Sequence, residues 1–115
     1  MKRIEAIIAS EKVSVVNDAL KNAGVSGATI LEAKGRGKGQ KPKVMGGRGT
    51  SSHIAEFSVR ANIVTVVNDA DVDKAVKAIL DAASTGAPGD GKIFISTVNE
   101  SVDIGSRKRS QTSVD

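Results

Sequence analysis

The segment Thr85-Gly86-Ala87-Pro88-Gly89-Asp90-Gly91-Lys92-Ile93-Phe94 separates a helical pattern from an apolar strand pattern. It contains three glycines, one proline and one lysine. Glycine lets backbone N–H groups approach an anion without an intervening Cβ, and lysine supplies a mobile positive charge. The segment is therefore typical of a phosphate-binding turn. On spacing alone, a helix C-cap followed by an ordinary turn is equally consistent with it.

The sequence on either side of this turn predicts one helix and two strands. Before it, apolar residues recur at helical spacing from 72 to 83, with Asp69 or Asp71 as the N-cap. Further upstream, the β-branched run 62–67 predicts a central strand. After the turn, residues 93–98 predict the last strand. This half of the chain is therefore a β-α-β unit.

The first half of the chain repeats that order. Residues 2–9 predict a buried strand, the apolar face from Val13 to Ala23 predicts a helix that Gly24 ends, and residues 28–34 predict a second strand. Two such units predict an α+β, ferredoxin-like βαββαβ fold, with two helices on one face of a four-stranded antiparallel sheet. Because the strands are apolar on both sides, the uncovered face predicts association between copies.

Composition sets limits on the class of protein. The 115 residues predict one domain, 1–115, and only Phe57 and Phe94 are aromatic, so the core must be aliphatic. The absence of cysteine excludes disulfides and thiolate metal sites. No apolar run approaches the roughly 18 residues that a membrane span needs. We expect a cytoplasmic protein without direct membrane insertion.

The net charge of +4 is concentrated in a long loop. Six basic residues and no acidic ones lie between Lys34 and Arg48, and residues 35–52 show no apolar periodicity, so the long basic loop is expected at 36–58. Such a loop is either a solvated basic segment or a binding element. Its glycines follow a strand but precede no helix, which disfavours a Walker or dinucleotide-binding loop. The polar tail, residues 100–115, is expected to be mobile.

Two stretches, Lys2 to Ile8 and Thr85 to Phe94, resemble the PII nitrogen-regulatory signal proteins, and the resemblance covers most of residues 1 to 98. It implies a homotrimer that binds ATP or ADP in clefts between subunits, with Mg²⁺ and 2-oxoglutarate as further ligands. It also implies regulation of nitrogen metabolism through the long loop. The implied target is an ammonium transporter or an enzyme of nitrogen assimilation.

The resemblance assigns candidate site residues. Gly27 to Thr29 correspond to contacts with adenine and ribose, Gly35 to Lys38 to a first phosphate segment, and Gly89 to Lys92 to a second. The complete set for the nucleotide is Ile7, Gly27, Ala28, Thr29, Gly35, Arg36, Gly37, Lys38, Val66, Gly89, Asp90, Gly91 and Lys92. Gln40 corresponds to a glutamine that helps hold Mg²⁺ and 2-oxoglutarate, and Arg60 corresponds to the basic residue that binds a 2-oxoglutarate carboxylate. Within this set we expect Asp90 to order the phosphate turn rather than to activate a water.

The long loop departs from the family pattern. The chain contains no tyrosine, so the family's tyrosine modification is excluded. Residues of the loop expected to contact the target are Lys41, Lys43 and Arg48, and residues with a modifiable hydroxyl are Thr50, Ser51 and Ser52.

The C-terminal segment departs as well. Asp103 and Gly105 stand where the family has two arginines that reach a neighbour's phosphates. Arg107, Lys108 and Arg109 follow and could compensate, so the preference between ATP and ADP stays open.

Two other classes of function remain as alternatives. A ferredoxin-like RNA-binding module would use the basic loop, but it would need base-stacking aromatics that this sheet largely lacks, so no specific nucleic acid is expected. An enzyme is also not expected. With no Cys, Tyr or Trp and a single His, we identify no catalytic residue, and any ATP hydrolysis would be slow.

Overall fold

The computed structural model describes residues 1–37, 43–45, 52–54 and 57–115, the two three-residue segments by their backbone only. Short 3-10 turns, Ser10–Lys12 and Asp69–Asp71, lead into the two α-helices. The elements in chain order are β1 (Lys2–Ala9), α1 (Val13–Asn22), β2 (Thr29–Gly35), β3 (Lys43–Met45), β4 (Ser52–Ile54), β5 (Ser58–Val67), α2 (Val72–Ala83), β6 (Gly91–Thr97), β7 (Ser101–Val102) and β8 (Arg109–Ser110).

Four strands form one antiparallel sheet in the order β2-β5-β1-β6. The register places Ile7 opposite both Asn62 and Lys92. The two long helices pack against each other and against one face of this sheet. The predicted ferredoxin-like α+β fold is confirmed.

The core lies between the helices and the sheet, and it is aliphatic as expected. Alternate residues of β1 and β5 point into it, and each helix contributes one apolar stripe. Burying each of its large side chains stabilises the fold by roughly 1.5 to 3 kcal/mol. The fully buried large side chains are Ile4, Leu20, Ile63, Ile79 and Val16.

The residues predicted to begin or end the helices can be compared with the helix ends in the structure. Gly24 ends α1 with φ of 86°, and Val25 N–H donates to the Leu20 carbonyl at 3.0 Å. Asp71 occupies the N-cap position of α2, but its side chain caps no backbone N–H and instead pairs with Lys74 at 3.2 Å. Asp71 is thus confirmed as one of the two predicted N-cap residues, and the other, Asp69, pairs with the Met1 ammonium group at 3.0 Å.

Both segments expected to lack regular structure contain short strands. In the long loop, β3 and β4 pair with Val44 opposite His53. In the tail, β7 and β8 pair around a turn in which Arg107 N–H donates to the Asp103 carbonyl at 2.8 Å. The end of the tail returns to the sheet, where Val114 N–H donates to Asn68 Oδ1 at 2.9 Å. The tail therefore contains regular structure, and its end is held by a hydrogen bond to Asn68.

The face of the sheet opposite the helices, called here the open face, is less apolar than predicted. Leu31 and Phe94 lie on this face and are 54% and 51% exposed, so it does carry exposed apolar side chains. Its centre, however, carries the polar side chains of Arg3, Glu5 and Asn62, which hydrogen-bond to one another. Within the described residues, no helix is long and apolar enough to cross a membrane.

Candidate functional site

The phosphate-binding turn predicted at residues 85–92 is held in shape by one carboxylate. Asp90 accepts hydrogen bonds from the Thr85 hydroxyl at 2.6 Å, the Thr85 amide at 2.7 Å and the Gly86 amide at 2.9 Å. The bond from the Thr85 hydroxyl, followed by those from the backbone amides, lowers the pKa of the Asp90 carboxyl below its ordinary value. The carboxylate orders the turn, which is the role expected for it.

Three glycines give the turn a backbone path that other residues rarely adopt. Gly86, Gly89 and Gly91 have φ of 81°, 96° and 117°. At Gly91 the constraint is also steric, because a Cβ would lie 1.9 Å from the Ile7 carbonyl oxygen. Only glycine lets the chain enter β6 this close to β1, and this approach places Lys92 beside Ile7.

Arg60 connects this turn to the end of β2. Its Nη1 donates to the Gly89 carbonyl at 2.7 Å, and its Cγ lies 3.2 Å from the position that a Cβ on Gly35 would take. The structure thus brings Gly35, Arg60 and Gly89 together. Sequence reasoning considered Arg60 only as a carboxylate-binding residue and missed this link, which joins residues 29 positions apart.

The residues predicted for adenine and ribose lie elsewhere. Thr65, which is buried, donates from its hydroxyl to the Gly27 carbonyl at 2.5 Å, and Thr29 pairs with Val64. Val66 borders a small cleft of about 60 Å³ that also takes in the end of the tail. The residues lining this cleft are Gly24, Val25, Ser26, Val66, Val67, Asn68, Asp71, Val114 and Asp115.

A single chain therefore holds two separate groups of predicted site residues. Thr29 and Gly35 lie at opposite ends of β2, about 20 Å apart at the usual strand rise. The phosphate turn is at the Gly35 end, because Arg60 joins the two. Gly27, Ala28 and Val66 are at the other end. One protomer cannot bring both groups onto one small ligand.

The structure describes only some of the site residues predicted in and near the long loop. Arg36 and Gly37 directly follow β2. The predictions for Lys38, Gln40, Lys41, Arg48, Thr50 and Ser51 lie outside the described residues. Lys43 and Ser52 begin β3 and β4, and only their backbone is described. No group of acidic or histidine side chains suited to a metal ion exists within the described part of the chain.

The C-terminal departures from the family pattern fall in the β7–β8 turn. The carboxylate of Asp103 accepts a hydrogen bond from the Ser106 amide at 2.7 Å, and this bond lowers the pKa of Asp103. Arg109 pairs with Glu100 at 2.7 Å. Of the three basic residues that could compensate for the missing arginines, Arg109 is therefore already engaged within its own chain.

The sequence matches one family of known proteins over most of its length. Residues 1–108 match the family described as Nitrogen regulatory protein P-II. The chain belongs to the P-II family. It is 41% identical to Nitrogen regulatory protein P-II of Rhodospirillum rubrum over 109 residues, which cover 95% of this chain and 96% of that protein.

A second P-II relative comes from another organism. The chain is 46% identical over 104 residues to Nitrogen regulatory protein P-II 2 of Methanothermobacter thermautotrophicus, with 90% of this chain and 89% of that protein covered. The resemblance seen in the sequence is confirmed. Residues 109–115, which include β8 and the end of the tail, lie beyond the family match.

Proposed function

We propose that this P-II family member is a cytoplasmic nitrogen-regulatory signal protein, not an enzyme, that binds ATP or ADP in clefts between the subunits of a homotrimer. Bound nucleotide sets the conformation of the long loop, and the loop docks on a target transporter or enzyme of nitrogen metabolism. This is a switch in which each ligand stabilises the state that it contacts best.

The phosphate turn carries this proposal. Its path is set by Asp90 and by three glycines with positive φ, and it ends at Lys92 on the open face. A backbone of this kind suits phosphate oxygens, because amides without nearby side chains and a mobile ammonium group complement an anion. The residues present therefore fit a nucleotide's phosphates.

The separation of the two groups of site residues supports a cleft between subunits. The Gly27–Thr29 group and the phosphate turn are too far apart to hold one nucleotide within a chain. If a neighbouring copy presents its Gly27–Thr29 end to the phosphate turn, the two groups complete each other. A homotrimer supplies three such clefts.

Mg²⁺ and 2-oxoglutarate complete the proposed ligand set, with Gln40 and Arg60 as their side chains. Arg60 already holds Gly89 through its guanidinium group. A carboxylate bound at Arg60 would therefore act on the phosphate turn through the same side chain. This gives a physical route by which one ligand changes the affinity for the other.

Isothermal titration calorimetry with ATP, ADP and AMP, each with and without Mg²⁺ and 2-oxoglutarate, tests the proposal. The informative variant is Lys92→Met, which should weaken ATP binding by about tenfold or more through loss of a charge-assisted contact. Lys21→Met is the matched control, because Lys21 is an exposed lysine at the end of α1. It should bind as the wild type does.

Two outcomes would contradict the proposal. One is a monomeric protein that takes up neither ATP nor ADP at millimolar concentration. The other is equal loss of binding in the Lys92 and Lys21 variants, which would indicate a general charge effect. Tight, sequence-selective RNA retention in filter binding across a salt series would support the RNA-binding alternative instead.

A further inference from the structure

A connected polar cluster occupies the middle of the open face. Asn62 Nδ2 donates to Glu5 Oε2 at 3.0 Å, and Arg3 Nη1 donates to Glu5 Oε1 at 3.4 Å. These residues lie on β5 and β1, the two central strands of the sheet. We call Arg3, Glu5 and Asn62 the central cluster. None of its residues belongs to the predicted nucleotide site.

The central cluster is incomplete within one chain. Asn62 Oδ1 is buried and has no hydrogen-bond donor among the described residues. A buried acceptor left without a donor is unfavourable, so native structures rarely keep one. The Arg3 side chain remains 41% exposed and makes a long bond to Glu5, which itself is 22% exposed. The cluster therefore has a cation and a carboxylate that a second copy can reach.

Apolar side chains surround this polar centre. Leu31 and Asn62 face each other across β2 and β5, and Phe94 lies opposite Glu5 across β6 and β1. Leu31 and Phe94 are each about half exposed, and Ile7 and Val64 are partly buried between them. A half-exposed apolar rim around a polar centre differs from a solvated surface, where charged groups lie outermost.

We propose that the central cluster selects which chains assemble through the open face: Arg3 of one copy bonds Glu5 of the next. Charge complementarity identifies a second copy as the occupant, because each copy presents both a cation and a carboxylate on one face. This inference rests on the homotrimer of the proposed function. It goes further by naming the residues that discriminate between partner chains.

The physical advantage of such a cluster is specificity. Apolar side chains alone would let any chain with a similar open face join the assembly. A desolvated ion pair contributes little net affinity, but a partner with the wrong charge leaves like charges facing each other and polar groups unpaired. The central cluster therefore excludes mismatched chains more strongly than it attracts matched ones.

Charge reversal tests this directly. The double variant Arg3→Glu/Glu5→Arg keeps opposite charges within each copy and between identical copies, so it should form its own oligomer. When the double variant is mixed with wild type, residue 3 of one kind of copy meets a like charge at residue 5 of the other kind at every boundary between them. Mixed oligomers should then fall below about a tenth of their statistical share. The single variant Arg3→Glu should assemble at least about tenfold more weakly than wild type.

The measurement is subunit exchange followed by native mass spectrometry in the absence of nucleotide. Because the double reversal leaves the mass unchanged, the wild-type chain is labelled with ¹⁵N. The matched control is Lys77→Asp/Asp81→Lys, which reverses an exposed ion pair on α2, away from the open face. It should exchange with wild type at the statistical share. Circular dichroism melting of each variant verifies that it is folded.

Free exchange between the double reversal and wild type would overturn the inference, as would full assembly of the folded Arg3→Glu variant. A folded double reversal that stays monomeric would also overturn it, because the charges between identical copies are complementary. The two proposals can fail independently. If calorimetry shows no ATP binding, the nucleotide proposal fails, but subunit exchange can still depend on the central cluster.

Discussion

The two faces of the four-stranded sheet are built from alternate residues of the same strands, yet they differ in chemistry. Ile4, Ala6 and Ile8 of β1 point to the helices and are buried, whereas Arg3 and Glu5 of the same strand lie on the open face. On the helix face, Thr65 is the one buried polar side chain in the described part of the chain. Packing thus determines one face, and the other holds the residues proposed to recognise ligands and other copies.

The two faces therefore hold two kinds of residue, those that stabilise the fold and those available for contacts, which composition alone does not distinguish. A substitution on the helix face should act on folding. A substitution on the open face should act on assembly or ligand binding and leave folding of the single chain largely intact. Neighbouring positions in one strand therefore offer matched tests.

The largest expected effect is on the helix face. Ile63 is 1% exposed, so Ile63→Ala should lower the free energy of unfolding by about 4 kcal/mol, because it removes buried methylene groups and leaves a cavity. The next residue, Val64, lies on the open face, and Val64→Ala should cost about 1 kcal/mol or less in the isolated chain. Urea denaturation at several protein concentrations separates folding from assembly. Equal losses in the two variants would contradict the contrast between the faces.

A smaller loss is expected where the backbone of β6 meets β1. Gly91→Ala should lower the free energy of unfolding by about 2 to 3 kcal/mol, because alanine at φ of 117° is strained and its Cβ meets the Ile7 carbonyl. Gly37→Ala is the control, since nothing lies within 4 Å of the Cβ it would add. It should change stability by about 0.5 kcal/mol or less. A stable Gly91→Ala protein would show that the turn has an alternative backbone path.

The smallest effect concerns pH. The pKa of Asp90 is lowered in the folded chain, so its ionised form contributes stability above the ordinary value of 3.8. That contribution is lost as the pH falls from 3.8 through the lower folded pKa. In Asp90→Asn the corresponding part of the acid dependence should disappear. Thermal melts from pH 7 to pH 2 and an NMR titration of the Asp90 carboxyl measure this. A titration at or above 3.8 would contradict the structure.

The strands and helices could be predicted because their signals are local. Alternation along 2–9, the β-branched run 62–67 and the helical spacing from 72 to 83 each lie within one element, and β1, β5 and α2 form there. The ion pair between the Met1 ammonium group and Asp69 could not be predicted, because it joins residues that are far apart in the sequence.

The candidate site was predictable only in part. The phosphate turn is contiguous in sequence, so its glycines and Asp90 could be recognised. The bond from Arg60 to Gly89 joins different elements and depends on the strand order. The central cluster had a partial signal, because Arg3 and Glu5 alternate with apolar residues. Asn62 joins them only through the register that pairs β5 with β1.

The close approach of Gly91 to Ile7 also affects how the results of a mutational screen of this chain should be interpreted. In a library that samples every amino acid at each position, replacements at Gly91 would be disfavoured even if survival required only a folded protein, because the Ile7 carbonyl occupies the space. Invariance at this position is therefore no evidence for a ligand. Gly37 has open space around it, so intolerance there would reveal a requirement beyond folding.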